Sequence, residues 1–310
     1  MQMNQNENAN EALAWCASVI GPIEVVADGN RSREHAGLRA TAHRLRMPSG
    51  GCYFKIHRDR VHWENEVHAY EQWAPAFGSF APRLLAVHAE APLALVIGEL
   101  PGNVLEDIQL TPAQAQAVWR SAGRALAGLH SLPAGEYFGF CRRDGTCAGT
   151  PVYDARQYVS SSIEGQVQRG LRGGYLSEDE LAIVRAACAL LPAFEGEPPL
   201  PCHRDYCPAN WLVSPEGVWT GVIDFEFSGW DVRAADFTRY PNWDWIEHPE
   251  LAVAFFEGYG HPFTPAEEQQ RLVAHTQYAL DAVVWGMENS YFGFAADGRK
   301  AFKHLRKLLG

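Results

Sequence analysis

Two short stretches hold the residues best suited to chemistry. The first, CHRDYCPANWLV at 202–213, sets Asp205 and, five residues on, Asn210 beside an apolar run. The second, GVIDFEF at 221–227, sets Asp224 after Val222 and Ile223, fourteen residues beyond Asn210. Amide and carboxylate oxygens are hard donors of the kind a small divalent cation takes, and two such ligands leave coordination positions for phosphate and water. Each acid alone reads as a cap or a solvated turn residue. It is the joint pattern, at the edges of apolar runs, that marks a site. Cys202, His203 and Cys207 lack a fourth partner at zinc spacing, which argues against a thiolate centre.

The arrangement H-R-D-x-x-x-x-N, followed by I-D-F, resembles the catalytic loop and metal-binding aspartate of the eukaryotic-like kinase fold. Across most of the chain, the surroundings resemble the aminoglycoside phosphotransferase family of small-molecule kinases. That resemblance implies that Asp205 accepts the proton of a substrate hydroxyl. It implies too that Asn210 and Asp224 hold Mg2+, which bridges the phosphates of ATP or GTP. His203 is expected to orient the loop and to transfer no proton. Lys55, after Tyr53 and Phe54, stands where the fold places a lysine on the nucleotide phosphates, and Glu66 is favoured as its partner over Glu64 and Glu71.

The segment Val96 to Gly102, with Glu99 and Leu100, fits the place where a purine edge would meet backbone groups, and Leu212 and Ile223 could sandwich the base. No G-x-G-x-x-G occurs. The one candidate for a phosphate loop is GNRSREHAG at 29–37, where Gly29, Asn30 and Ser32 could donate and Arg31 or Arg33 could add charge; a plain surface turn explains it equally well.

Departures from the protein-kinase pattern narrow the acceptor. Asp-Phe-Glu stands in place of Asp-Phe-Gly, and no Ala-Pro-Glu follows, so a protein substrate is not expected. FSGWDVRAADFTRY puts Asp231 and Asp236 where the small-molecule family has structural acids beneath the catalytic loop, and Arg204, where antibiotic kinases commonly have glycine, is expected to pair with a carboxylate. The acceptor should dock on the later helices, where Trp243, Asp244, Trp245 and Glu247 are candidates. Asp281, Trp285 and Glu288, at i, i+4 and i+7, share one helical face and are nominated first, for a polar ligand that could be cationic. The expected reaction is transfer of the γ-phosphate to a hydroxyl of an aminoglycoside, nucleoside or peptide antibiotic. A metabolic kinase for choline, homoserine or a sugar-like acceptor, or a catalytically silent nucleotide-binding module, are the alternatives.

The elements that must position these residues fall in two groups. A helix around Glu11 to Ile20 precedes strands at Ile23 to Ala27, Leu38 to Met47 and Cys52 to His57. A helix at Val61 to Trp73 and strands at Pro82 to His88 and Leu93 to Ile97 follow, and Glu99-Leu100-Pro101-Gly102 breaks the pattern. Beyond it come helices at Pro112 to Ser131, Val152 to Arg169, Ser177 to Leu191, Leu251 to Tyr259, Pro265 to Asn289 and from about Lys300. Strands first and helices later predict an α+β, two-lobed, protein-kinase-like fold: a five-stranded antiparallel nucleotide-binding lobe at 1–100 and a mainly helical catalytic and acceptor lobe at 101–310.

The 310 residues, 47% hydrophobic, suffice for packed cores, and a net charge of -11 disfavours nucleic acid and anionic membrane as partners. No apolar run is long enough to span a bilayer, the opening MQMNQNENAN lacks a secretory pattern, and seven cysteines without a CxxC fit a reducing cytoplasm.

Overall fold

The computed structural model describes residues 2–28, 40–237 and 247–310. Strands β1 (Glu24–Asp28), β2 (Ala40–Met47), β3 (Gly50–His57), β4 (Leu84–His88) and β5 (Ala94–Gly98) form one antiparallel sheet in the order β1-β2-β3-β5-β4. Side chains alternate across this sheet. Cys52, Phe54, Ala94 and Val96 pack with Ala12 and Cys16 of helix α1 (Gln2–Ile20) on one face. Leu95 and Ile97 face the other way, toward Trp63 and Val67 of α2 (Arg60–His68). Lys55 and His57 take that second face by the same period of two, so the strand aims both at α2.

Asp59 caps α2, accepting from His62 N at 2.9 Å. The α-helix stops at His68 and continues as a π-helical turn, Ala69–Trp73, that buries Tyr70 and Trp73. The apolar spacing at Val67, Tyr70 and Trp73 predicted one helix; the widened turn is the correction, since a strict three-residue step does not itself specify how the backbone hydrogen bonds close.

The second lobe is built on α3 (Pro112–His130), α4 (Ala155–Gly173), α5 (Glu178–Cys188), α6 (Pro249–Tyr259), α7 (Pro265–Glu288) and α8 (Phe292–Leu309). Capping boxes at Thr111, Ser177 and Thr264 start α3, α5 and α7. Helices α3 and α6 lie so close that a Cβ on Gly123 would come within 2.0 Å of Phe255 O, and one on Gly258 within 1.9 Å of Arg120 O. Helix α8 begins at Phe292, well before Lys300, after a break at Ser290 with φ 57°. A second core joins α4, α5, α7 and α8 through residues such as Ile163, Val184, Leu280 and Phe302.

Five strands of two to four residues support the site: β6 (Asn103–Val104), β7 (Leu200–Cys202), β8 (Trp211–Val213), β9 (Trp219–Val222) and β10 (Gly229–Asp231). They form a β6-β8-β9 sheet and a β7-β10 pair. Asp205 and Asn210 lie on the link from β7 to β8, and Asp224 on the link from β9 to β10. Among the described residues no helix is long and apolar enough to cross a membrane.

Candidate active site

The 203–210 loop is fixed from below by backbone donors and one buried acid. Asp236, 1% exposed, accepts from His203 N at 2.8 Å through Oδ2 and from Arg204 N at 2.5 Å through Oδ1. His130 Nε2 lies 3.0 Å from the same Oδ2. His203 Nδ1 accepts from Asp205 N at 3.3 Å, which assigns its proton to Nε2, and Nε2 donates to Ile223 O at 3.1 Å. That imidazole therefore ties the loop to the residue just before Asp224. Tyr206 anchors the loop to α3 by donating to Ala122 O at 2.8 Å.

Asp205 is held at both oxygens. Cys207 Sγ donates to Oδ1 at 3.6 Å, and Asn210 Nδ2 donates to Oδ2 and to the main-chain oxygen, each at 2.9 Å. With Nδ2 so engaged, Oδ1 is the side-chain atom of Asn210 that could take a cation. Ile223 N donates to Asn210 O at 3.0 Å, which brings Asn210 beside Asp224.

Across the cleft, Lys55 Nζ lies 2.6 Å from Glu66 Oε1, 2.8 Å from Asp224 Oδ1 and 3.8 Å from Glu226 Oε2. Burial works against the ammonium, but Asp224, Glu66 and Glu226 outweigh it and hold the lysine well above its ordinary pKa, so it stays charged. Glu66 is fully buried, and burial pushes its carboxyl up; Lys55, and His57 with Nε2 at 2.8 Å, overcome this and bring it down to about 2. Glu66, Asp224 and Glu226 thus gather around one ammonium. The hard oxygens of Asn210 and Asp224 fit Mg2+ in type.

Asp224 and Arg204 both adopt left-handed backbone, with φ 69° and 64°. For a residue with a Cβ this costs about 1–2 kcal/mol. Arg204 is kept there by its side chain: Nε lies 2.9 Å from Asp231 Oδ2 and the guanidinium sits 5.2 Å from the Phe140 ring centroid. Burial pushes the Asp231 carboxyl up while Arg204 pulls against it. Arg204→Gly should relieve the backbone but leave a buried acid without its cation, for a net loss of about 2 kcal/mol. A urea midpoint equal to or above that of the wild type would contradict this.

Of the remaining sequence candidates, Glu99 pairs with Arg44 at 2.7 Å, and its N–H donates to Gly51 O at 3.0 Å. Leu100 packs within 2.7 Å of where a Gly221 Cβ would stand. Leu212 is buried on β8 opposite Gly221, and Ile223 follows β9. Asp281 accepts from Gln166 at 3.1 Å and Glu288 pairs with Arg169 at 2.5 Å, so both engage α4, while Trp285 meets Tyr291 and Phe294 edge-on. Gly29, Asn30, Arg31, Ser32 and Arg33, and Trp243, Asp244 and Trp245, lie outside the described residues. Glu247, described at the edge of α6, pairs with Lys300 at 2.7 Å. His57, Asn65 and Glu226 were not singled out as site residues. The signal for His57 was its place two residues after Lys55 on one strand face.

The Phosphotransferase enzyme family profile matches residues 39–271. A thermostable mutant of aminoglycoside phosphotransferase APH(4)-Ia, in ternary complex with AMP-PNP and hygromycin B, superposes with TM-score 0.70 at 15% identity, covering 94% of this chain and 96% of that one. The gentamicin complex of APH(2'')-IIa gives TM-score 0.61 at 14% identity over 94% and 95% of the two chains. A Thermobifida fusca protein provisionally described as a fructosamine-3-kinase gives 0.63 at 20% identity over 94% and 98%. No curated protein matches the sequence. The protein-kinase-like fold expected from H-R-D-x-x-x-x-N and I-D-F is the fold present, and the chain belongs to the phosphotransferase enzyme family.

Proposed function

We propose that this chain transfers the γ-phosphoryl group of ATP or GTP to a hydroxyl of a small hydroxylated antibiotic of aminoglycoside type, acting in the cytoplasm with magnesium. The observation carrying this reading is a continuous set of contacts: Asp205 to Asn210, Asn210 to Ile223 and so to Asp224, Asp224 to Lys55, and Lys55 to Glu66. Lys55 binds the phosphates and Glu66 keeps its ammonium in place. Asp205 orients the acceptor hydroxyl and takes its proton as the oxygen bonds to the γ-phosphorus and the bond to the β-γ bridging oxygen breaks, releasing the nucleoside diphosphate. Asn210 Oδ1 and Asp224 would hold magnesium, which supplies positive charge to the phosphate oxygens when bound.

The acidic balance suits a cationic acceptor. The likeness to the fructosamine-3-kinase-type protein favours a second reading, a sugar-amine metabolite, with the same chemistry at the same residues. Incubation with nucleotide, magnesium and matched panels of aminoglycosides and glycated amines should give one class of product heavier by about 80 mass units, the added phosphoryl group. Nucleotide consumed without any phosphorylated acceptor would count against both readings.

A further inference from the structure

Asn65 precedes Glu66 on α2 and is 0% exposed. Its Nδ2 donates to Ser228 O at 2.6 Å and lies 3.5 Å from Glu226 O, while its Oδ1 accepts from Cys141 N at 3.0 Å. Glu226 and Ser228 stand two and four residues after Asp224. Cys141 opposes Cys147 in a small antiparallel turn closed by Ala148 N donating to Phe140 O at 2.9 Å. One amide thus joins three segments: the helix carrying Glu66, the link carrying Asp224, and a turn of the second lobe.

Packing alone does not account for this residue. A buried amide is favourable only where its donors and acceptor are met, and an apolar side chain is the usual occupant of a site with no exposure. A carboxylate could not donate to Ser228 O, and an aliphatic side chain would leave Ser228 O and Cys141 N unpaired. The same turn grips α2 and its extension twice more, through His68 Nδ1 donating to Arg143 O at 3.2 Å and Arg143 on Glu71 at 2.7 Å.

Resting on the phosphotransfer reading, we infer that Asn65 is a positioning residue that fixes the spacing between Glu66 and Asp224, and so lets Lys55 meet both carboxylates at once. Its loss leaves each carboxylate in place on its own segment but loosens one against the other. The consequence falls on the groups that handle cation and nucleotide.

The test compares Asn65→Leu and the milder Asn65→Ser with Val67→Ala, a buried apolar truncation on the same helix outside the site. Binding of a fluorescent ATP analogue is titrated with magnesium, beside melting curves. Both Asn65 variants should need about tenfold more magnesium for half-saturation, as losses beside a metal ligand do. Val67→Ala should lower the melting temperature and leave that midpoint unchanged. If Asn65→Leu fails to fold, Asn65→Ser alone decides, measured below its transition. Wild-type magnesium midpoints in the Asn65 variants, with only melting affected, would overturn the inference. No magnesium-dependent nucleotide binding by the wild-type protein would instead overturn the phosphotransfer reading, and this inference with it.

Discussion

Asp205→Asn should lower kcat by about 10^2 to 10^4-fold, the range that positioned proton transfer contributes, while nucleotide affinity stays within a few-fold of wild type. The split follows from where the contacts fall. Asp205 is oriented by Cys207 and Asn210, while Lys55 is held by Glu66 and Asp224, so the amine proposed to bind phosphate keeps these two carboxylate partners in the variant. The substituted amide is nearly isosteric, and one of its atoms can still accept from Asn210 Nδ2, so the loop should hold its shape. What it loses is an oxygen able to take a proton from the acceptor hydroxyl. Single-turnover rates with saturating nucleotide, beside direct nucleotide binding, separate the two effects. Turnover at the wild-type rate would remove Asp205 from the base role.

The lobes and their order were legible in the sequence because strands and helices segregate along the chain, whereas β3 is buried on both faces at Phe54 and Lys55 and so shows no simple alternation there. The Glu66 pairing rested on helical spacing and on resemblance together, since Glu64 and Glu71 have equal chemistry. In the structure Glu64 lies 3.9 Å from Arg60 and Glu71 pairs with Arg143, which separates the three by contact and not by type. Strands β6 to β10, at two to four residues each, are too short to show a period of two. The link from Asn65 to Ser228 spans 163 positions, and no local pattern reports a bond of that reach. Glu226 was visible only as a departure from Asp-Phe-Gly. Its closeness to Lys55 follows from the left-handed turn at Asp224, which composition does not reveal.

Lys55→Met should remove the amine proposed to bind the phosphates and cut kcat/KM for nucleotide by at least about 10^2-fold, the usual loss when one charge-stabilising donor is removed. It should also cost about 3–5 kcal/mol of stability near neutral pH, because Glu66 stays buried after its cation has gone. The sign of the pH dependence distinguishes this from a plain packing defect. In the wild type the Glu66 carboxyl is held at about 2 against an ordinary 4.5, so its stabilisation is complete above 4.5 and drains away as pH falls toward 2. In the variant His57 remains beside Glu66 but burial outweighs it, so the carboxyl rises, and acidification protonates it and relieves the strain. Urea midpoints of the two proteins should therefore converge between pH 7 and pH 4. Adding Glu66→Gln to Lys55→Met should restore much of the lost stability at neutral pH without restoring nucleotide binding. A deficit that stays constant across that range, or a double variant no more stable than the single one, would mean that the lysine is held in the cleft by packing and not by the charge on Glu66.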